Sequence, residues 1–202
     1  MRRETVLVPG ARSVEATLDV PDGTATACVI ACPPHPQYGG HRGDSRLVAV
    51  SDYLLERDVA CLRFDYGEWD GGRGEREDAR NALRWAAERY DRVALFGFSF
   101  GASVAALAAA DVDVPVAALA LLAPTADVEA GLDVVTAVRA VDAPVAVIYG
   151  ERDDTADWRP VVDAVEARGG RVRSLPADHF FVGQREKVAD AVGSFRLEHL
   201  VA

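Results

Sequence analysis

The sequence predicts an α/β protein whose central sheet is mostly parallel and is covered by helices on both faces. Near-continuous apolar strands alternate with amphipathic helices, which is typical of parallel strands buried on both sides. The segments Arg2–Val8 and Ser13–Val20 instead predict an antiparallel hairpin, because they alternate in polarity around Pro9 and Gly10. We expect one domain over residues 1–202, because half of the residues are apolar and no linker or repeat divides the chain.

The elements after the hairpin are predicted in a regular order. Buried strands are expected to end near Cys32, Phe64, Phe96, Leu122, Tyr149 and Leu175. Helices are expected roughly at Asp44–Arg57, Glu75–Tyr90, Ser99–Ala110, Thr155–Arg168 and Gln184–His199. One further short helix is expected within Ala126–Val141, between two of the strands.

The motif that carries the most chemical information is Gly-Phe-Ser-Phe-Gly at Gly97–Gly101. It lies between the apolar run Arg92–Phe96 and the alanine-rich stretch Ala102–Ala110, so it falls at a strand-to-helix junction. Gly-x-Ser-x-Gly at such a junction is the pattern of a nucleophile elbow, in which a tight turn lifts a serine hydroxyl above the sheet edge. Ser99 is therefore the candidate nucleophile.

A serine nucleophile needs a histidine base, and the chain contains only His35, His41, His179 and His199. In the fold that uses this elbow the order along the chain is serine, acid, histidine, which excludes the two histidines that precede Ser99. His199 lies near the end of the last predicted helix. His179 follows the strand predicted at Arg171–Leu175, where a parallel sheet places its chemistry, and is the candidate base.

The acid of such a triad is expected after an earlier strand at the same sheet edge. The apolar run Ala143–Gly150 predicts that strand, and Glu-Arg-Asp-Asp follows it. Asp153 is our first choice, Asp154 the second and Asp127, after the preceding strand, the third.

Backbone N–H groups must stabilise the negative charge that develops on the substrate carbonyl. The amide of Phe100, directly after the nucleophile, is expected to supply one donor. The second is expected from the loop Pro33–Gly40, where the prolines lack an N–H. His35, Gln37 and Tyr38 remain as donors, and His35 is favoured.

These motifs together resemble the small, lidless α/β-hydrolases related to dienelactone hydrolase. The resemblance includes the Pro-Pro-His-Pro loop leading to Gly39 and Gly40, the strand end Arg63–Asp65, and Gly-Glu-x-x-Asp-Ala at Gly74–Ala79. The elbow and the Asp-His-Phe-Phe loop at Asp178–Phe181 complete the set, so the similarity spans roughly residues 25–195.

The resemblance implies an α/β-hydrolase fold and a serine hydrolase that needs no cofactor and no metal. Dienelactone hydrolase uses a cysteine nucleophile, whereas Ser99 points to ordinary carboxylic esters or thioesters. A non-catalytic scaffold that binds a ligand or partner, an acyltransferase and a peptidase are the alternatives.

The segment around Ala126–Val141 is too short to hold a cap domain, so an open, shallow site for small-molecule substrates is expected. Its apolar walls are expected to come from the following aromatic residues: Tyr38, Trp69, Phe98, Phe100, Phe180 and Phe181.

The charge balance is strongly acidic, with a formal net charge of −10 and Lys187 as the only lysine. Such a surface repels nucleic acid, so phosphate-backbone binding is not expected. An acidic, lysine-poor chain also resembles proteins that work in concentrated salt, where self-repulsion is screened, although a genome that favours Arg and Ala codons gives the same composition.

The remaining features argue against other classes of protein. Cys28, Cys32 and Cys61 are expected to be small buried apolar residues. Cys28 and Cys32 lie about 13 Å apart along one strand, which is too far for a disulfide. His35, His41 and Asp44 are not expected to bind a metal.

The apolar run Val114–Pro124 is too short to span a bilayer and the first residues lack a signal-peptide core, so we expect a cytoplasmic protein without a membrane partner. The oligomeric state stays open.

Overall fold

A computed structural model describes residues 1–200, apart from the side chains of Ala130 and Arg196. The described residues form ten strands: β1 (Arg2–Val8), β2 (Val14–Val20), β3 (Ala27–Cys32), β4 (Ala60–Phe64), β5 (Arg92–Phe98), β6 (Leu119–Leu122), β7 (Asp127–Val128), β8 (Leu132–Asp133), β9 (Val145–Gly150) and β10 (Arg171–Leu175). The helices are α1 (Ser45–Leu55), α2 (Arg73–Ala87), α3 (Phe100–Ala109), α4 (Val134–Ala140), α5 (Arg159–Ala167) and α6 (Arg185–Leu200), with short 3₁₀ turns at Pro36–Tyr38 and Glu129–Gly131.

Eight strands form one sheet in the order β1-β2-β4-β3-β5-β6-β9-β10. β1 and β2 are an antiparallel hairpin in which Arg2 pairs with Val20 and Val8 with Val14. β2 also runs antiparallel to β4, whereas the remaining neighbours in this sheet, in the order β4-β3-β5-β6-β9-β10, all pair in parallel. The predicted mostly parallel sheet with an N-terminal hairpin is therefore confirmed.

Helices cover both faces of this sheet, as the apolar strands require. On β3, Val29 faces α1 and α6, whereas Ile30, one residue later, faces α2–α5. Successive side chains of a strand point to opposite faces, so the full burial of both residues shows that both faces of the sheet are covered. The polar carboxyl ends of the parallel strands are thus left at one edge of a sheet whose faces are filled.

The short helix expected within Ala126–Val141 is present as α4, and the first part of that segment adds structure that was not expected. The structure has the two-stranded ribbon β7–β8 there, followed by α4. Gly131, at a φ of +68°, allows the turn of the ribbon, and Asp133 caps α4 by accepting a hydrogen bond from the Thr136 amide at 2.9 Å. The last strand before Ser99 also extends to Phe98, two residues beyond the prediction.

The three cysteines are buried, as predicted, and none forms a disulfide within the described part of the chain. No helix within residues 1–200 combines the length and the apolar character that crossing a membrane requires.

Candidate active site

Ser99 occupies a strained turn between β5 and α3. Its φ is +56°, which is rare for a residue with a side chain and costs roughly 1–3 kcal/mol. The turn closes so tightly that a Cβ on Gly97 would lie 2.1 Å from the carbonyl oxygen of Gly101. Glycine is therefore required at position 97, and the Gly-x-Ser-x-Gly spacing follows from the shape of the turn.

The elbow also packs directly on the end of β3. A Cβ on Gly101 would lie 2.3 Å from the carbonyl oxygens of both Cys32 and Pro33. This close approach brings the loop after β3 to the elbow, and the rings of His35 and Phe100 have centroids 4.7 Å apart.

Three side chains form a continuous hydrogen-bonded chain at the elbow. Ser99 Oγ lies 2.9 Å from His179 Nε2, and His179 Nδ1 lies 2.7 Å from Asp153 Oδ2. His179 is 6 % exposed and Asp153 is 5 % exposed. Both imidazole nitrogens are thus engaged, one by the hydroxyl and one by the carboxylate, which is the arrangement of a serine–histidine–acid triad.

Asp153 is fixed by its own loop, between β9 and α5. Its Oδ1 accepts hydrogen bonds from the amides of Thr155 at 2.9 Å and Ala156 at 3.1 Å, which leaves Oδ2 for His179. The indole N–H of Trp158 donates to the Asp153 carbonyl at 3.1 Å. Asp154, the second choice for the acid, is exposed, and Asp127 lies on the rim of the cavity.

The loop that carries His179 is held against the end of β9. A Cβ on Gly150 would lie 2.6 Å from the carbonyl oxygen of Ala177, so only glycine permits this approach. Arg152 donates from its amide to the same carbonyl at 3.0 Å and from its guanidinium to Pro176 at 3.1 Å. The two loops therefore reach His179 and Asp153 as a packed pair.

The backbone amides that could stabilise the oxyanion differ in whether they already have a hydrogen-bond acceptor. The Gln37 amide donates to His35 Nδ1 at 3.3 Å, and the Tyr38 amide donates to the His35 carbonyl at 3.1 Å. The His35 amide has no acceptor among the described residues, and the Phe100 amide begins α3, where no intrahelical acceptor exists. Burial lowers the pKa of the His35 ring, which favours the neutral form that accepts from Gln37.

An open cavity of about 570 Å³ lies over Ser99 and His179. Five of the six aromatic residues expected in its walls line it: Tyr38, Trp69, Phe98, Phe100 and Phe180. Phe181 does not, because its side chain is buried in the core between the sheet, α1 and α6. Tyr38 and Phe180 are 87 % and 55 % exposed, so the mouth of the cavity is apolar and uncovered.

Three charged residues of the cavity were not predicted as site residues from the sequence: Asp44, Arg46 and Glu129. Asp44 caps the N-terminus of α1, the first helix after the loop that carries His35, and Arg46 lies in the first turn of that helix. His179 was found because functional residues lie at the carboxyl ends of parallel strands. The same rule would have pointed to the start of α1, which also lies at that edge of the sheet. Glu129 lies in the turn between β7 and β8, a ribbon that was not predicted, so nothing in the pattern indicated its position.

Comparisons with known proteins support the fold through structure alone. No family model matches the chain, and no curated protein matches its sequence. An α/β serine hydrolase homologue from Coxiella burnetii is 26 % identical, with a TM-score of 0.82 over 96 % of this chain and 98 % of that one.

Two further solved structures are similar. A lidless α/β serine hydrolase from Xanthomonas campestris is 23 % identical, with a TM-score of 0.81 over 100 % of this chain and 96 % of that one. A dienelactone hydrolase from Anabaena variabilis is 22 % identical, with a TM-score of 0.82 over 98 % of each chain. The chain therefore has the fold of the lidless α/β serine hydrolases, the family that its motifs resemble.

Proposed function

We propose that the protein is a serine hydrolase that cleaves small carboxylic esters or thioesters through Ser99, His179 and Asp153. The observation that carries this proposal is the hydrogen-bonded chain from Ser99 Oγ through both imidazole nitrogens to Asp153 Oδ2. The strained elbow supports it, because strain at a nucleophile persists only where the surrounding structure enforces it.

In the first half of the reaction, Ser99 Oγ attacks the substrate carbonyl while His179 Nε2 takes the hydroxyl proton. Asp153 keeps the proton of the neutral imidazole on Nδ1 and stabilises the imidazolium that forms. The amides of Phe100 and His35 stabilise the oxyanion. His179 then protonates the leaving alcohol or thiol, which leaves an acyl group on Ser99.

In the second half, His179 takes a proton from water, and the hydroxide attacks the acyl group through the same oxyanion site. Collapse of this intermediate returns the proton to Ser99 and releases the carboxylic acid. The cycle uses no metal and no cofactor.

The open cavity supports a small-molecule substrate. Its aromatic walls favour a short apolar acyl or alcohol group, and the exposed rings of Tyr38 and Phe180 allow a longer group to project into solvent.

The proposal is tested by hydrolysis of short-chain p-nitrophenyl esters and thioesters by the wild type, Ser99→Ala and a control, Ser194→Ala. Ser194 donates to the Asp190 carbonyl on α6, away from the cavity. We expect turnover by the wild type and the control, and loss of several orders of magnitude in Ser99→Ala. Wild-type turnover by Ser99→Ala would contradict the proposal.

The same assay distinguishes the alternatives. A folded wild type that binds but does not hydrolyse these compounds would favour a non-catalytic scaffold. An acyl-enzyme that passes its acyl group to an added alcohol or amine faster than to water would favour an acyltransferase, and cleavage of peptides alone would favour a peptidase.

A further inference from the structure

Arg46, in the first turn of α1, contacts three parts of the candidate active site at once. Its Nε donates to Asp44 Oδ1 at 2.9 Å and its Nη2 to the other oxygen of the same carboxylate. Its Nη1 donates to the Phe180 carbonyl at 2.9 Å, and its guanidinium lies 4.2 Å from the centroid of the Phe98 ring. These partners lie at the N-cap of α1, on the loop of His179 and beside Ser99.

The hydrogen bond to Phe180 acts on a strained part of that loop. Phe181 has a φ of +51°, an uncommon value for an aromatic residue. The Phe180 carbonyl belongs to the peptide unit that precedes Phe181, so rotation about that φ would move it. A donor fixed on α1 therefore holds this peptide in the strained conformation, one residue after His179.

The contact with Phe98 is a second way in which Arg46 restrains the His179 imidazole. The rings of Phe98 and His179 have centroids 5.5 Å apart, and Phe98 directly precedes Ser99. A cation stacked on Phe98 limits the motion of the ring against which His179 packs.

Only arginine can make all three contacts together. The guanidinium is a planar fork with five donors that binds a carboxylate with two nitrogens and still stacks on a ring, whereas the lysine ammonium is a point charge. We infer that Arg46 is a positioning residue that holds His179 at hydrogen-bond distance from Ser99. The inference rests on the proposed hydrolase function.

Chemical rescue tests this role more sharply than loss of activity alone. Arg46→Ala removes the guanidinium but leaves Asp44, Phe98 and the Phe180 carbonyl around the vacated space. We expect kcat for a neutral ester to fall about 10- to 100-fold with little change in KM, because a misplacement of about 1 Å has effects of that size. Guanidinium ion at a non-denaturing millimolar concentration should restore part of kcat, whereas potassium ion at equal ionic strength should not.

A matched control is available at the other end of α1. Arg57 also donates to a backbone carbonyl, that of Tyr53, at 2.9 Å, and its guanidinium lies 3.6 Å from the Tyr53 ring, but it does not line the cavity. Arg57→Ala should keep wild-type kcat and KM. Arg46→Lys should lie between Arg46→Ala and the wild type.

The outcomes separate this inference from the proposed function. A wild type that hydrolyses no ester would contradict the hydrolase proposal itself. An active wild type with an equally active Arg46→Ala would contradict only the role of Arg46, as would a loss of kcat that guanidinium does not restore in a folded variant. If Arg46→Ala does not fold, Arg46→Lys gives the test, and wild-type kcat in that variant would overturn the inference.

Discussion

His179 Nδ1 lies 2.7 Å from Asp153 Oδ2, although the two residues belong to loops that follow different strands. β9 and β10 are neighbours in register, with Gly150 opposite Leu175, so their following loops begin side by side. Because Gly150 has no side chain, the backbone before His179 can pack against the end of β9. The pair therefore depends on sheet topology as well as on the two residues themselves.

This contact predicts a clear difference between adjacent carboxylates. Asp153→Asn should keep the fold but lower kcat by about 10⁴-fold, because the amide no longer selects the imidazole tautomer that accepts the serine proton. Asp154→Asn should have wild-type kcat, because Asp154 is exposed. Steady-state kinetics of both variants give the measurement, and the reverse order of effects would assign the acid to Asp154.

A proline at position 35 would remove the backbone N–H and keep the backbone conformation. Its φ of −58° is close to the value that proline fixes, so His35→Pro deletes the N–H with little strain at that angle. We expect a loss of about 10²- to 10³-fold in kcat for His35→Pro, because one oxyanion donor is lost.

His35→Ala is the control for this substitution. It removes the ring and its contacts with Trp69 and Phe100 but keeps the amide. The two variants should differ strongly in kcat, and equal activities would show that the second oxyanion donor lies elsewhere, for example at Gln37 or Tyr38.

The stability of the protein should depend on pH through Asp78, in the second turn of α2. Burial raises the pKa of Asp78 to about 6, despite a hydrogen bond from the Gly67 amide and the nearby Arg12 guanidinium. The folded state therefore binds this proton more tightly than the unfolded state, whose pKa is near 4. The Asp78 contribution to the free energy of unfolding must fall as the pH rises from about 4 to about 6, and stay constant above that range.

Urea unfolding of the wild type and Asp78→Asn across this range measures the effect. The asparagine does not titrate and can still accept from Gly67, so the stability of the variant relative to the wild type should increase with pH through the window. A difference between the two proteins that does not change with pH would contradict the assignment.

The charges around the cavity predict discrimination against anionic esters. Arg46 is paired with Asp44, which leaves Asp127 and Glu129 as the uncompensated charges among the described lining residues. An ester with a terminal carboxylate should have kcat/KM roughly 3- to 10-fold lower than its neutral isostere at low ionic strength, with a smaller difference in high salt.

Removal of those two charges tests the cause of the discrimination. The Asp127→Asn, Glu129→Gln double variant should reduce the ratio between neutral and anionic esters. The Asp163→Asn, Glu166→Gln variant changes the net charge equally on exposed positions of α5 and should keep the ratio. Equal effects of the two variants would attribute the discrimination to overall charge.

Much of the fold could be predicted from local patterns, because each strand and helix had to bury a continuous apolar face. In the segment Ala126–Val141 the short helix was predicted but the ribbon before it was not, since the turn at Gly131 and the cap at Asp133 act over only a few residues. Apolar periodicity gives no usable signal for strands of two residues such as β7 and β8.

The candidate site was predictable to the extent that chain order and residue counts restricted it. Four histidines left one at a suitable strand end, whereas two successive aspartates after β9 could not be separated without the hydrogen bond to His179. The role of Arg46 could not be predicted from local patterns, because its hydrogen bond to the Phe180 carbonyl joins residues 134 positions apart. The catalytic roles of Ser99, His179 and Asp153 stay predictions.

Labelling with a fluorophosphonate probe tests the central claim most directly, because the probe reacts with an activated serine whatever the natural substrate is. The wild type should be modified at one position, which peptide mapping by mass spectrometry should assign to Ser99, and Ser99→Ala should remain unlabelled. Parallel reactions in dilute buffer and in molar KCl also test whether this acidic chain needs salt to fold and react. A wild type that is folded by circular dichroism in both conditions and is labelled in neither would contradict the account.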